Sequence, residues 1–221
     1  MEHKMIPLTC QDLLRITNLE HAQEPVPNRK FLTREKAIWL LRSYEQRESD
    51  QIHYLETEAI MGAVAEKLGE DVDYWGMLGL LHDVDWAITR DKCENHCVKA
   101  EEILKKQGFD KEFIETIQSH AYGYKEIPAF KDKRRTEKIQ HALAASETIT
   151  GIVNAYALMR ENKISDMDSS GLKKKFKDKK FAQNCNREII LEIEKIGIPL
   201  DEFLGIAIGA IKKIKDNIGL M

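Results

Sequence analysis

No apolar run in this chain approaches the roughly 18 residues that a membrane-spanning helix needs, and the opening segment MEHKMIPLTCQDLL lacks the sustained apolar stretch of a secretory signal. Cysteine is scarce. Cys10, Cys93, Cys97 and Cys185 form no CxxC pair and no regular framework, which excludes a disulfide scaffold and fits a reducing, cytoplasmic setting with free thiols. Charge of one sign is also missing: 34 Lys and Arg against 37 Asp and Glu leave a formal net charge of -3. No global basic field therefore draws in nucleic acid or an anionic membrane, and binding of either is not expected. Glycine (12) and proline (5) are too few in 221 residues for long disordered tracts.

What is present is a globular balance, 43% hydrophobic and 32% charged residues, in a chain long enough for one sizeable core. Residues 1–30 read as an N-terminal arm: a short helical start at Thr9, with Asp12 three places on, is broken by EPVPN. From residue 31 to 221 a single all-α domain is expected, because no stretch alternates apolar and polar residues long enough for a strand. Thr33, Asp50, Asp71 and Asp110 are candidate N-caps. Further helices are expected over about 93–107, 134–160, 170–183, 186–196 and 201–216. The basic runs KKKFKDKKF (173–181) and KDKRR (131–135) read first as solvated helix faces.

The histidines carry the chemistry. His53 shares a helix face with Thr57, Ile60 and Val64, at offsets of four, seven and eleven, and so points inward. The stretch GLLHDVDW sets His82 and Asp83 at the end of an apolar run that Gly76 and Gly79 allow to pack closely. On a helix the two lie about 100° apart and can address one site, or two adjacent ions, from two angles. His120 follows Phe113 and Ile117 at helical spacing, and His96 precedes an amphipathic segment with Ala100 and Ile103. Singly, each reads as a satisfied core histidine; together they point to a metal site. Imidazoles with carboxylates suit Fe, Mn, Zn, Co or Ni. In EKIQHALAASETITGI, Glu147 offers a further carboxylate, while His141 falls on another face and is excluded. A rival C-x-x-H-C cluster, Cys93, His96 and Cys97, lacks a fourth ligand nearby, and its thiols are expected to pack.

In order and spacing these residues resemble the HD superfamily of metal-dependent phosphohydrolases, whose ligands run H…HD…D, often with two further histidines between. His53 matches the first histidine, His82 and Asp83 the doublet, and His96 and His120 the optional pair; Glu147 stands where the family usually has aspartate. "GLLHDVDW" and "SETITGI" look like a small bacterial subgroup of uncharacterised hydrolases. The resemblance implies a helical bundle around a central site holding one or two divalent transition-metal ions. His53, His82, Asp83 and Glu147 would hold one ion and Asp83, His96 and His120 the other, with Asp83 bridging.

It further implies hydrolysis of a small phosphate ester, a nucleotide being the expected substrate. The metal supplies a water activated near neutral pH and stabilises phosphoryl charge. Asp85 is the remaining acid near the doublet: it would orient the water, protonate the leaving group or hold a ligand histidine. Arg134, Arg135, Lys173 to Lys175 and Arg187 are candidate phosphate partners. Two other classes stay open: a non-catalytic metal- or nucleotide-binding module with a degenerate site, and a di-iron oxygenase.

Overall fold

The computed structural model describes residues 33–221; the arm over 1–30, with its Thr9–Asp12 pattern, lies outside the described residues. Among these, all regular structure is helical. The order is α1 (Arg34–Arg42), α2 (Glu48–Leu68), α3 (Val72–Leu81), the single-turn α4 (Trp86–Thr89), α5 (Val98–Lys106), α6 (Lys111–Ser119), α7 (Lys138–Leu158), α8 (Ser169–Lys177), α9 (Arg187–Ile190) and α10 (Leu200–Ile214). Short 3-10 turns occupy Cys93–Asn95, Leu191–Ile196 and Lys215–Asn217.

Side-chain acceptors start the helices where the sequence places them. Thr33, Asp71 and Asp110 accept from the backbone N–H groups of Lys36, Tyr74 and Phe113, at 3.4, 3.0 and 2.8 Å. Each satisfies a first-turn donor that the helix itself cannot. At α2 the helix begins two residues before Asp50, which sits inside the first turn and accepts from Arg47 N at 3.3 Å. The helix expected over 93–107 is split, because Cys97 adopts a left-handed backbone, φ 62°, and regular α-helix begins only at Val98. The helix expected over 170–183 stops at Lys177, and Arg187 ties the turns that follow by donating to the carbonyls of Asp178, Phe181, Ala182 and Cys185.

The long helices α2 and α7 form the centre, with α3, α6 and α10 packed around them. Ile60, Met61 and Val64 of α2 meet Leu78 and Leu81 of α3, Leu143 and Ile149 of α7 and Phe203 of α10 in one continuous core, all fully buried. Each such side chain contributes about 1.5–3 kcal/mol by leaving water. A polar link joins α2 to α7 inside this core: Glu56 Oε2 accepts from Asn154 Nδ2 at 2.7 Å, while Glu56 Oε1 has no partner. Burial pushes the Glu56 carboxyl up to about 8 despite that hydrogen bond.

One glycine sets the distance between α2 and α3. A Cβ on Gly79 would stand 2.6 Å from Thr57 O, so the two backbones touch there and no larger residue fits. That contact fixes His82, three residues on, against His53, four residues before Thr57.

Candidate metal centre

His53 projects from α2. His82 and His120 occupy the C-cap positions of α3 and α6, and His96 lies on the loop before α5. The two C-cap histidines are held by the same local device. His82 Nδ1 donates to Gly79 O at 2.8 Å and His120 Nδ1 to Ile117 O at 2.7 Å, so each ring bonds the carbonyl three residues back. Helix ends have carbonyls to spare, and a histidine at that position takes one up.

The other two rings are fixed from outside their own elements. His96 Nδ1 donates to Asp85 Oδ1 at 3.0 Å, and Asp85 Oδ2 accepts from Ala100 N at 3.0 Å. Asp85 is fully buried with both oxygens engaged, which fits the partner of an oriented histidine among the roles its position left open. His53 Nδ1 lies 2.9 Å from Thr150 Oγ1, whose hydroxyl donates to Glu147 O at 2.7 Å, so the ring is the donor here.

With all four Nδ1 atoms donating, all four Nε2 atoms of the neutral rings present lone pairs. They face one another: His53 and His82 Nε2 are 3.0 Å apart, His96 and His120 Nε2 3.2 Å. Two acceptors at that distance repel unless a proton or a cation lies between them. Asp83 stands at the junction, with Oδ1 3.6, 3.3 and 3.2 Å from His82, His96 and His120 Nε2 and Oδ2 4.0 Å from His53 Nε2. The Tyr54 hydroxyl, which donates to Gln46 Oε1 at 2.9 Å, also lies 3.3 Å from Asp83 O. The donor set of imidazoles around a shared carboxylate fits divalent transition metals.

Electrostatics divide the two pairs. Burial holds His53 low and His82 down at about 3, although Asp83 opposes it. Burial also works against charge on His96 and His120, but Cys97 and Asp83 outweigh it and hold both rings well above the usual histidine range, so that without an ion a proton fills the place between these nitrogens and Asp83. Asp83 is buried yet kept well below the ordinary carboxylate value by His82, His120 and His96.

The structure thus brings together His53, His82, Asp83, His96 and His120, with Asp85 behind His96. Glu147 is differently placed. Its carboxylate accepts from the Thr148 hydroxyl and falls outside the close His53–His82–Asp83 group, whose ligand atoms lie within 4.8 Å of one another. Burial pushes it up to about 7, with His120 and Asp83 near enough to act on it. Cys93 is exposed and bonds Arg90 O at 3.4 Å, so the C-x-x-H-C cluster does not assemble. Cys97, by contrast, is buried beside His96 and His120. Sequence spacing pairs it with Cys93 and gives no sign of His120, which arrives from another helix.

A second cluster of ionisable groups lies behind α6. Arg135 grips Glu192 through Nε and Nη2 at 2.7 and 2.9 Å, and its Nη1 donates to the carbonyls of Ser119, His120 and Tyr122. His141 Nδ1 meets Glu192 Oε2 at 2.6 Å. Arg135 and Arg187 are both committed to protein acceptors, and Lys173 pairs with Asp201 at 2.5 Å, so these candidate phosphate partners hold the fold.

Comparison with known proteins agrees with a helical, metal-dependent phosphohydrolase class. Residues 51–151, a little under half of the chain, match the HD domain model. That span contains every candidate ligand from His53 to Glu147. Ribonuclease Y of Mycoplasma mycoides is 33% identical over 98 residues, 44% of this chain and 21% of that protein. Ribonuclease Y of Nitratidesulfovibrio vulgaris is 35% identical over 68 residues, 31% and 13%, and that of Protochlamydia amoebophila 26% over 147 residues, 66% and 27%. The chain spans about a fifth of the length of the first curated relatives it matches. No solved structure matches. No helix among the described residues is long and apolar enough to cross a membrane.

Proposed function

We propose that the protein hydrolyses a phosphate ester at a centre of two divalent transition-metal ions, and that the substrate is a small nucleotide. The observation that carries this reading is the pair of Nε2-to-Nε2 contacts converging on Asp83, four acceptors around a carboxylate with cation-sized needs. His53, His82 and Asp83 would hold one ion, and Asp83, His96 and His120 the other. Glu147, buried with His120 and Asp83 near enough to act on its charge, would be the further carboxylate of the first set.

The ions supply an activated water and stabilise charge on the phosphoryl oxygens. The chain's own part is positional. Gly79 O, Ile117 O, Thr150 and Asp85 hold the four rings in the tautomer that leaves Nε2 free. Such preset donors need no reorganisation when substrate arrives.

A second reading, cleavage of RNA, is favoured by the Ribonuclease Y relatives. Elemental analysis of the full chain and of Asp83→Ala, followed by a panel of nucleoside monophosphates, cyclic nucleotides, dinucleotides and short single-stranded RNA, separates the cases. Near two equivalents of metal, lost in the variant, with turnover on mononucleotides supports the proposal. Turnover on RNA alone replaces the substrate with RNA. Loaded metal with no turnover on any member overturns the enzymatic reading in favour of a binding module.

A further inference from the structure

Cys97 has no part in the function proposed above, yet it is fully buried against two of the ligand histidines. Its Sγ lies 3.4 Å from His96 Nε2 and 3.5 Å from His120 Nε2, the same atoms whose lone pairs face each other at 3.2 Å. Asp83 Oδ1 lies 3.3 and 3.2 Å from those two nitrogens.

These separations have a simple meaning. Zinc bonds of about 2.0–2.1 Å to nitrogen or oxygen and about 2.3 Å to sulfur put tetrahedral donors about 3.3 Å apart for two light atoms and about 3.6 Å for nitrogen and sulfur. The three distances among Cys97, His96 and His120 fall close to those edges, and these three side chains form one close group of possible ligands. The same arithmetic does not fit the other histidine pair as well, where the separations run from 3.0 to 4.0 Å and no sulfur is present. Backbone geometry serves the arrangement: the left-handed conformation at Cys97 turns its side chain and that of His96 to one place, and Gln118 Nε2 bonds Cys97 O at 3.2 Å.

We propose that Cys97 is a metal ligand, and that His96, His120 and Cys97 form a thiolate-bearing position, with Asp83 Oδ1 beside its two histidines, next to a second position at His53, His82 and Asp83. This rests on the metal-centre reading above and divides its two ions by chemistry. A thiolate selects a thiophilic ion such as zinc or ferrous iron over magnesium or manganese. The thiolate position lies between the buried rings of His96 and His120 and anchors the charge of Asp83, and the position at the more exposed His53 faces the substrate. The rival account is that Cys97 packs as a thiol, capping a small apolar cluster with Ala121, Ile127 and Phe130.

Cobalt(II) titration of the metal-stripped full chain decides between them, because a cobalt–thiolate bond gives a near-ultraviolet charge-transfer band that nitrogen and oxygen ligands do not. The band is expected in the unmutated chain, and also in a variant with Cys10, Cys93 and Cys185 all replaced by serine. It is expected to vanish in Cys97→Ser, with cobalt affinity at one position lowered roughly tenfold or more. The unmutated chain provides the first readout, so the test stands even if Cys97→Ser fails to fold. Two bound equivalents without the band, or a band that survives Cys97→Ser, overturn the thiolate ligand and leave the metal centre intact. No cobalt bound at all overturns both.

Discussion

The centre around Asp83 and the knot around Glu192 use the same residue types, histidine and carboxylate, and differ in how their hydrogen bonds close. In the knot every contact pairs a donor with an acceptor: Arg135 and His141 donate to Glu192, and the rest of the guanidinium meets three carbonyls. Burial opposes charge on Glu192, but these donors overcome it and hold the carboxyl down at about 2. In the centre, acceptors face acceptors. A closed set of donors and acceptors explains itself as structure, whereas an excess of lone pairs calls for something from outside. Counting histidines does not separate the two; following each ring nitrogen to its partner does.

The contrast breaks most completely at Asp83. Asp83→Ala is expected to lose metal binding and turnover to background while far-UV circular dichroism still reports a helical chain. Glu192→Ala should do the reverse, keeping metal stoichiometry per folded chain but lowering stability by about 3 kcal/mol, or roughly 10 °C in melting temperature. Because Glu192 is depressed in the folded chain, that difference is present above about pH 4.5 and fades as pH falls toward 2, which a urea series at several pH values would trace. If Glu192→Ala instead removes metal at full stability, the distinction between the two clusters collapses.

Smaller effects sharpen it. Asp85→Asn leaves His96 in place with a weaker acceptor, and calorimetric titration should show metal affinity falling roughly 10- to 100-fold. Glu56 supplies the least change and the opposite sign. Its carboxyl is raised to about 8, so the folded chain favours the neutral form, and stability falls as pH rises from the ordinary glutamate value toward 8. Glu56→Gln should be neutral near pH 4.5 and stabilising by about 1–2 kcal/mol above pH 8, less than the full linkage of about 1.4 kcal/mol per unit because a buried charge recruits water. A flat difference across that range would mean that Glu56 ionises near the ordinary glutamate value in the folded chain as well.

Much of this was legible in the sequence because it is local. Thr33, Asp71 and Asp110 cap the helices they precede, and the offsets from His53 to Val64 place its ring on the core side. The order His53, His82–Asp83, His96, His120 groups, without coordinates, side chains that the folded chain brings together. What escaped depends on backbone turns and on partners distant in sequence. Cys97 becomes a neighbour of His120 only through a left-handed residue, a conformation that cysteine does not advertise. Arg135 sits in a basic run that looks solvated, and only the return of Glu192, 57 residues later, commits it. Glu147 lies on the expected helix, yet its carboxylate accepts from Thr148, and spacing carries no information about side-chain torsions.

The contact between Gly79 and Thr57 bears on the departure of an ion as well as on geometry. Since the α2 and α3 backbones meet there with no side chain between them, His53 and His82 cannot separate by a local rearrangement of either helix. An ion between these rings would therefore leave toward the partly exposed side at His53, and the spacing of the two imidazoles would be the same before and after it left.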